Sequence, residues 1–293
     1  MRYSSPVPAS PDEIQQIAID IILAKDRRAR RALHSYHRLL RLQERKLQSV
    51  VAEWLEWTAK TIRAGLSGMR GKTPVARVKS IADWDEIRTH GEELMKPAMF
   101  ETLAAGGNSV MGKRMVKKQE RFDPIGLEAI KWTTEHSAEL VVEITAETML
   151  AIREYIKVGV DAGKSVQTLS MELRPLVGLT SRDIMAVANF HEMLIVERPE
   201  LSAARQRGMA EVYARRMHRR RATTIARTET AYALTEGQRQ GYDQMGIKRL
   251  ERVEDPECCE ICAEYQGKIY TIEEAEGVLP EHPSCEGSWV VAT

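Results

Sequence analysis

The chain has 293 residues, of which 29% are charged and only 5% are aromatic, a composition that favours long helices and argues against a β-sandwich. No apolar run approaches the ~20 residues of a membrane-spanning helix, and no secretion signal is expected at the N-terminus. The formal net charge of +1 hides an asymmetry, because residues 250–293 carry −9 and residues 1–249 about +10. A basic body with an acidic tail indicates a negatively charged or mixed partner for the body.

The first predicted element is a helix that begins at Ser10 and continues to about Ala64. Ser10 can cap it, Pro11 suits its first position, and Glu13 completes a capping box. No glycine or proline follows before Ala64, and apolar residues recur at helical spacing. We expect one very long helix or two helices separated by a kink, about 80 Å long at ~1.5 Å per residue.

Residues 65–74 interrupt the helical pattern and contain Gly71-Lys72-Thr73, as a phosphate-binding loop does. Leu66 stands where that motif needs its first glycine, and a helix precedes the segment instead of a strand. We therefore interpret the segment as a flexible turn.

More helices are predicted downstream, with glycines as their expected ends: Gly106-Gly107, Gly163 and Gly246. A basic connector separates the first of these helices from the rest. One helix is predicted at 81–104, and a helical pattern resumes at about 127. A new helix is expected to start at Thr145 and to end at Asp161. Four more helices are predicted at 166–174, 181–194, 200–218 and 221–245.

The pattern changes at Ile247, where the charge also changes sign. "IKRLERVE", "GKIYTI" and "GSWVVA" alternate or are β-branched, and they predict three short strands. The strands enclose all four cysteines of the chain. The sequence thus divides into a long-helix region at 1–120, a helical body at 121–246 and a small module at 247–293.

The cysteines form two pairs of candidate metal ligands: Cys259-x-x-Cys262 and His282-x-x-Cys285. Two residues between donors allow one tight turn to direct both at one ion, and two such turns supply a tetrahedral zinc site. A segment of about 45 residues usually needs such a cross-link for its stability.

Cys258 is left over as the spare cysteine. Free thiols or a disulfide remain alternatives, and a catalytic zinc is disfavoured because no coordination position stays open. The expected fold is mostly α, with long helices and a small zinc-stapled α+β module.

This region resembles the Mu F-like minor head proteins of tailed bacteriophages, also called head morphogenesis proteins. The similar motifs are "IARTET", "GYDQMGIKRLERV", "DPECCEIC", "GKIY" and "LPEHPSC", preceded by the helical "SVQTLSMELRPLVGLTSRDIMAVANF". The resemblance covers about residues 125–290. One departure concerns the last motif, which commonly ends Cys-Arg-Cys in the family and has Gly287 in place of the second cysteine here.

The resemblance implies a structural, non-enzymatic protein of the phage head. It implies association with the portal protein at the portal vertex, contact with other head proteins, an oligomer on the portal, and contact with packaged DNA. The location implied is the virion, at the head interior or portal vertex, after assembly in the host cytoplasm.

The "ARTE" letters within "IARTET" do not indicate an ADP-ribosyltransferase. Arg227 and Glu229 are two positions apart on a helix and point in different directions. We expect both side chains to contact the C-terminal module and hold it on this helix.

Two basic stretches, at 25–46 and 205–221, carry +7 and +6 with histidines neutral. Such density can neutralise DNA phosphates, although a solvated helix face or docking on an acidic protein such as a portal explains it equally well. The candidate contact residues are Arg27, Arg28, Arg30, Arg31, Arg215, Arg216, Arg219 and Arg220.

Two other functions stand as alternatives to the structural one. A toxin-like enzyme, either a nuclease or a transferase, would need a further domain after the motif, and only residues 286–293 follow it. A zinc-containing nucleic-acid-binding module is disfavoured by the charge of −9 in that segment.

Overall fold

The computed structural model describes residues 11–68, 75–111, 121–164 and 166–292. The protein is mostly helical, with one small sheet near the C-terminus, which confirms that part of the predicted fold class. The helices are α1 (Pro11–Gly68), α2 (Trp84–Val110), α3 (Leu127–Asp161), α4 (Val166–Leu173), α5 (Ser181–Glu197), α6 (Ala203–Gln244) and α7 (Glu260–Ala263), with a short 3-10 helix at Val75–Ser80.

Several helices are longer than predicted. Helix α1 is one continuous helix of 58 residues. Helix α3 passes through Thr145 without a break, and α6 joins the two helices expected at 200–218 and 221–245. No glycine or proline stands near either expected break, so nothing in the backbone interrupts these helices. The turn predicted at 65–74 is wrong for residues 65–68, which belong to α1, and its residues 69–74 lie outside the described residues. Residues 112–120 of the basic connector predicted at 108–126 also lie outside them.

The main core lies between α1, α2, α3 and α6. Trp54 of α1 is fully buried, and its Nε1 donates a hydrogen bond to the carbonyl oxygen of Ile87, at 3.1 Å. Gly91 makes room for the indole, because a Cβ there would lie 2.7 Å from it. The predicted regions 1–120 and 121–246 therefore contribute to one core.

Helices α2 and α6 cross at backbone contact. The prediction that Gly106 and Gly107 end α2 is wrong, because both glycines lie inside the helix and are buried. A Cβ at Gly106 would overlap the carbonyl oxygen of Leu234, and one at Gly237 would overlap that of Leu103. Glycines at this crossing serve helix packing because side chains would force the two backbones apart.

The sheet is antiparallel, with β1 between its two neighbours in the order β2-β1-β3. In its register, Leu250 pairs with Tyr270 on one side and Val291 on the other. The strands are β1 (Arg249–Val253), β2 (Ile269–Thr271) and β3 (Ser288–Val291).

The C-terminal module packs against both the first and the sixth helix. Tyr36 and Leu40 of α1 share a buried cluster with Leu234 of α6, Val253 of β1 and Val290 of β3.

Among the described helices, none has the length and apolar composition that crossing a membrane requires.

Replacing Gly237 with alanine tests the helix crossing. The new Cβ would meet backbone that has no room to yield, so we expect Gly237→Ala to lower the free energy of unfolding by about 3 kcal/mol. The matched control is Gly208→Ala on the same helix, where nothing lies within 4 Å of the added Cβ. Helix propensity predicts that the control is stabilised by about 0.5–1 kcal/mol. Urea unfolding measures both, and equal stabilities would contradict the backbone contact.

Candidate metal centre

Two tight turns of the C-terminal module bring the predicted ligands together. Cys259 is the residue before α7, and its carbonyl accepts the Ala263 N–H, which places Cys262 one turn along the helix. In the second turn the Cys285 N–H donates to the His282 carbonyl, with Ser284 in a left-handed conformation. Both Cys262 and Cys285 belong to the buried core of the module.

Three pairs of donor atoms among these residues lie within van der Waals contact. His282 Nε2 is 3.1 Å from the Sγ atoms of both Cys259 and Cys262, and the Sγ atoms of Cys262 and Cys285 are 3.6 Å apart. Tetrahedral zinc with ordinary bond lengths separates such donors by about 3.5–3.8 Å, so these three distances are close to the required spacing. The donors of Cys259, Cys262 and His282 all lie within 4.8 Å of one another, whereas Cys285 is grouped with Cys262 and not with Cys259 or His282. Cys258 belongs to no group of donors that could hold a metal ion, which agrees with the prediction that it is the spare cysteine.

The four cysteines are free thiols. The 3.6 Å between the Cys262 and Cys285 sulfurs is far beyond the ~2.05 Å of a disulfide bond. Thiolate and imidazole donors at this spacing fit zinc better than they fit hard cations such as Mg²⁺.

The ring of His282 is oriented for metal binding. Its Nδ1 lies 2.9 Å from the carbonyl oxygen of Pro283, which can only accept a hydrogen bond. The proton therefore belongs on Nδ1, and Nε2 directs its lone pair toward the sulfurs. The same hydrogen bond is the main reason why the pKa of His282 is raised.

The thiols differ in how readily they ionise. The pKa of Cys259 is lowered, first by the backbone N–H of Cys262 and then by His282. Burial raises the pKa of Cys262, and the neighbouring Cys285 raises it further. A cation would offset this cost of ionising Cys262, because a metal-bound cysteine is a thiolate.

A buried ion cluster that the sequence pattern does not predict lies against the cysteines. Arg252 has no exposed side-chain surface, and its guanidinium pairs with Glu254 and with Glu281, the latter at 2.8 Å. It also approaches the Sγ of Cys262 at 3.8 Å and stacks on the ring of Tyr265. Alternation along this strand suggests apolar inward residues, and such a pattern cannot identify a buried arginine whose partners come from outside the strand.

Arg227 and Glu229 do not contact the C-terminal module, so the predicted lock is wrong in its residues. Arg227 donates to Glu44 of α1 at 3.2 Å, and Glu229 bonds to His136 of α3 at 2.7 Å. Both side chains therefore connect α6 to the other long helices.

The contacts that hold the module on α6 lie further along the helix. The Thr235 hydroxyl lies 3.0 Å from the Leu279 carbonyl oxygen and shares its proton with the Ala231 carbonyl at 2.8 Å, and Ser288 donates to Gln238 at 3.1 Å. The hydroxyl of Tyr242 donates to the Trp289 carbonyl at 3.4 Å. The expected helix is correct, but uncharged polar side chains make the contact in place of charged ones.

Helix α1 contacts the ligand-bearing turn directly. Arg41 donates to the Glu286 carboxylate at 2.7 Å, and His37 Nε2 lies 3.1 Å from the Glu286 carbonyl oxygen. Glu286 follows Cys285, so the N-terminal helix braces one end of the candidate metal centre.

The eight arginines proposed for DNA or partner contact lie on α1 and α6. Arg30 pairs with Asp26 at 2.7 Å, within its own helix. The second group lies at i, i+1, i+4 and i+5 of α6, a spacing that places its members on neighbouring faces of the helix. That group consists of Arg215, Arg216, Arg219 and Arg220.

These features define a helical protein with a small C-terminal module built around thiol and imidazole donors. Residues 151–289, just under half of the chain, match the model of the family described as phage Mu protein F like protein. This match confirms the resemblance and identifies residues 151–289 as a phage Mu F-like region. It extends from the middle of α3 to β3 and contains every candidate metal ligand. No curated protein and no solved structure matched the chain.

Proposed function

We propose that the protein is a phage head morphogenesis protein with a structural role. The observation that carries this proposal is the Mu F-like match, which includes the body helices α4–α6 and all four cysteines of the C-terminal module. The donor set supports the same conclusion, because four thiolate and imidazole ligands make a closed zinc site suited to folding instead of catalysis.

The proposed partners are the portal protein and other head proteins, with the chain as an oligomer on the portal. Its location would be the virion, at the head interior or the portal vertex. Exposed apolar side chains on α3 and α5 offer surface for such contacts, among them Leu150, Val158 and Val196.

The role of zinc in this proposal is to connect the two turns of the module. Cys259, Cys262, His282 and Cys285 would hold the ion, whose chemistry here is that of a cross-link. Each turn is short, and a shared ion would link the two, so it would add to the stability of the segment.

Zinc binding is tested by exchanging single cysteines. Purified under reducing conditions, the chain should contain one zinc ion, and Cys262→Ser should lose it because Cys262 is the donor nearest to the others. Cys258→Ser is the matched control and should keep the ion. Elemental analysis and protease resistance of residues 247–292 measure the two effects. Zinc-free wild-type protein, or equal zinc in both variants, would refute the site.

The assembly role is tested in the phage that encodes the chain. A stop codon in the reading frame should produce malformed or non-infectious heads, and expression of the intact chain in the host should restore them. Electron microscopy and plaque counts measure the effect, and cross-linking in assembled heads identifies the neighbours. Infectious particles in normal number without the protein would overturn the proposal.

We also propose that the arginine group on α6, at 215, 216, 219 and 220, contacts packaged DNA. Arg215 and Arg219, like Arg216 and Arg220, are i,i+4 neighbours of equal charge, which destabilises a helix unless a polyanion lies beside it. Glu211, an acid on the same helix, is 4.0 Å from Arg215.

Exchanging these four arginines for glutamine should weaken double-stranded DNA binding and reduce its salt dependence. The plot of log K against log salt has a negative slope, and each lost phosphate contact reduces its magnitude by about 0.9. Fluorescence anisotropy at several salt concentrations measures both quantities. The control exchanges basic residues of α3 and α5, namely Arg153, Lys157 and Arg182. An unchanged slope in the α6 variant would refute DNA contact there.

A further inference from the structure

The carboxylate of Glu254 lies beside the candidate ligands, although no sequence pattern marks it. Its side chain is only 2% exposed. The donor atoms of Glu254, Cys262 and Cys285 all lie within 4.8 Å of one another, as do those of Cys259, Cys262 and His282. The two groups share Cys262 and together bring five donors to the surroundings of its sulfur, one more than the four ligands of a structural zinc ion.

Gly287 leaves the space that this carboxylate occupies. A Cβ at Gly287 would lie 2.7 Å from both carboxylate oxygens of Glu254. Gly287 is not among the glycines with positive φ, so its backbone does not require glycine. The absence of a side chain therefore serves to admit the Glu254 carboxylate.

The buried negative charge is compensated on one side only. Arg252 donates from Nε to Oε1 of Glu254, and this pairing lowers the cost of burying the carboxylate. A carboxylate has two oxygens and about four lone-pair positions, so one hydrogen bond leaves it able to bind a cation. Cys259, which is not in the group of Glu254, Cys262 and Cys285, is exposed to solvent.

We infer that Glu254 is a second donor for the fourth coordination position of the metal centre, in competition with Cys259. Cys262, His282 and Cys285 supply the other three positions. Zinc accepts either a cysteine sulfur or a carboxylate oxygen, and structural sites hold four ligands at a time. When Cys259 leaves the ion, Glu254 takes its place from the buried side. This inference rests on the proposed zinc site.

The first test compares zinc affinities of single and double variants, measured against a chromophoric chelator in reducing buffer. Cys259→Ser and Glu254→Gln should each weaken zinc binding by no more than about tenfold, the lower end of what altered ligand surroundings cost. The double variant should lose more than the product of the two single effects. Glu257→Gln, an exposed acid in the same segment, is the control and should match wild type.

A steric variant tests the same inference without altering any donor. Gly287→Ala should displace the Glu254 carboxylate, which is the end of a flexible side chain, at little cost to folding. Alone it should bind zinc almost as wild type does, whereas Cys259→Ser/Gly287→Ala should bind as weakly as the double donor variant. Circular dichroism of the helical body verifies folding in every variant.

Cobalt(II) reports which donors are bound. In the Cys259→Ser protein, a tetrahedral cobalt spectrum with fewer thiolate bands than wild type supports an oxygen donor in the fourth position. Loss of that spectrum on adding Glu254→Gln or Gly287→Ala identifies the donor as Glu254.

The outcomes separate this inference from the proposed site. Wild-type protein that binds no zinc overturns both. Wild-type protein that binds zinc, together with a Cys259→Ser variant as weak as the double variants, overturns the role of Glu254 alone. That role is also overturned if Glu254→Gln has no effect on zinc affinity in the Cys259→Ser background.

Discussion

The structure depends on the close crossing of α2 and α6, where glycines allow two backbones to touch. Because α6 is held there, its last turns are surrounded by protein, and residues 233–241 are buried on every face. A helix buried in this way cannot show the one-sided apolar pattern of a surface helix. Its polar residues are instead satisfied internally, as Arg239 is by Glu236 at 2.6 Å.

The same buried helix positions the candidate metal centre. Thr235 contacts the Leu279 carbonyl on one side of the ligand-bearing turn, and on the other side Gln238 accepts hydrogen bonds from the Ser288 hydroxyl and the Trp289 N–H. Helix α1 contacts that turn at Glu286 from another direction. A change at the centre therefore reaches the two longest helices of the protein through direct hydrogen bonds.

The spacing of the cysteines indicated two pairs of candidate ligands because each pair is a local structure. Two residues between donors allow one turn to direct both at one ion, but the approach of Cys259 to His282 and of Cys262 to Cys285 depends on the fold of the whole module. The resemblance to phage Mu F-like proteins was confirmed from residue 151 onward. Arg227 and Glu229 failed as module contacts, since their position in "IARTET" says nothing about which neighbour lies above each face of the helix.

The sequence by itself determined the helical class, the change to short strands after residue 246, and the two pairs of candidate ligands. Each of these depends on residues a few positions apart, whose geometry the backbone sets. Only the tertiary structure decided that Gly237 meets Leu103, that Arg41 braces Glu286, and that Glu254 fills the space beside Gly287. These contacts join segments separated by 33 to 245 positions. Packing of the complete chain, not local spacing, brings such segments together.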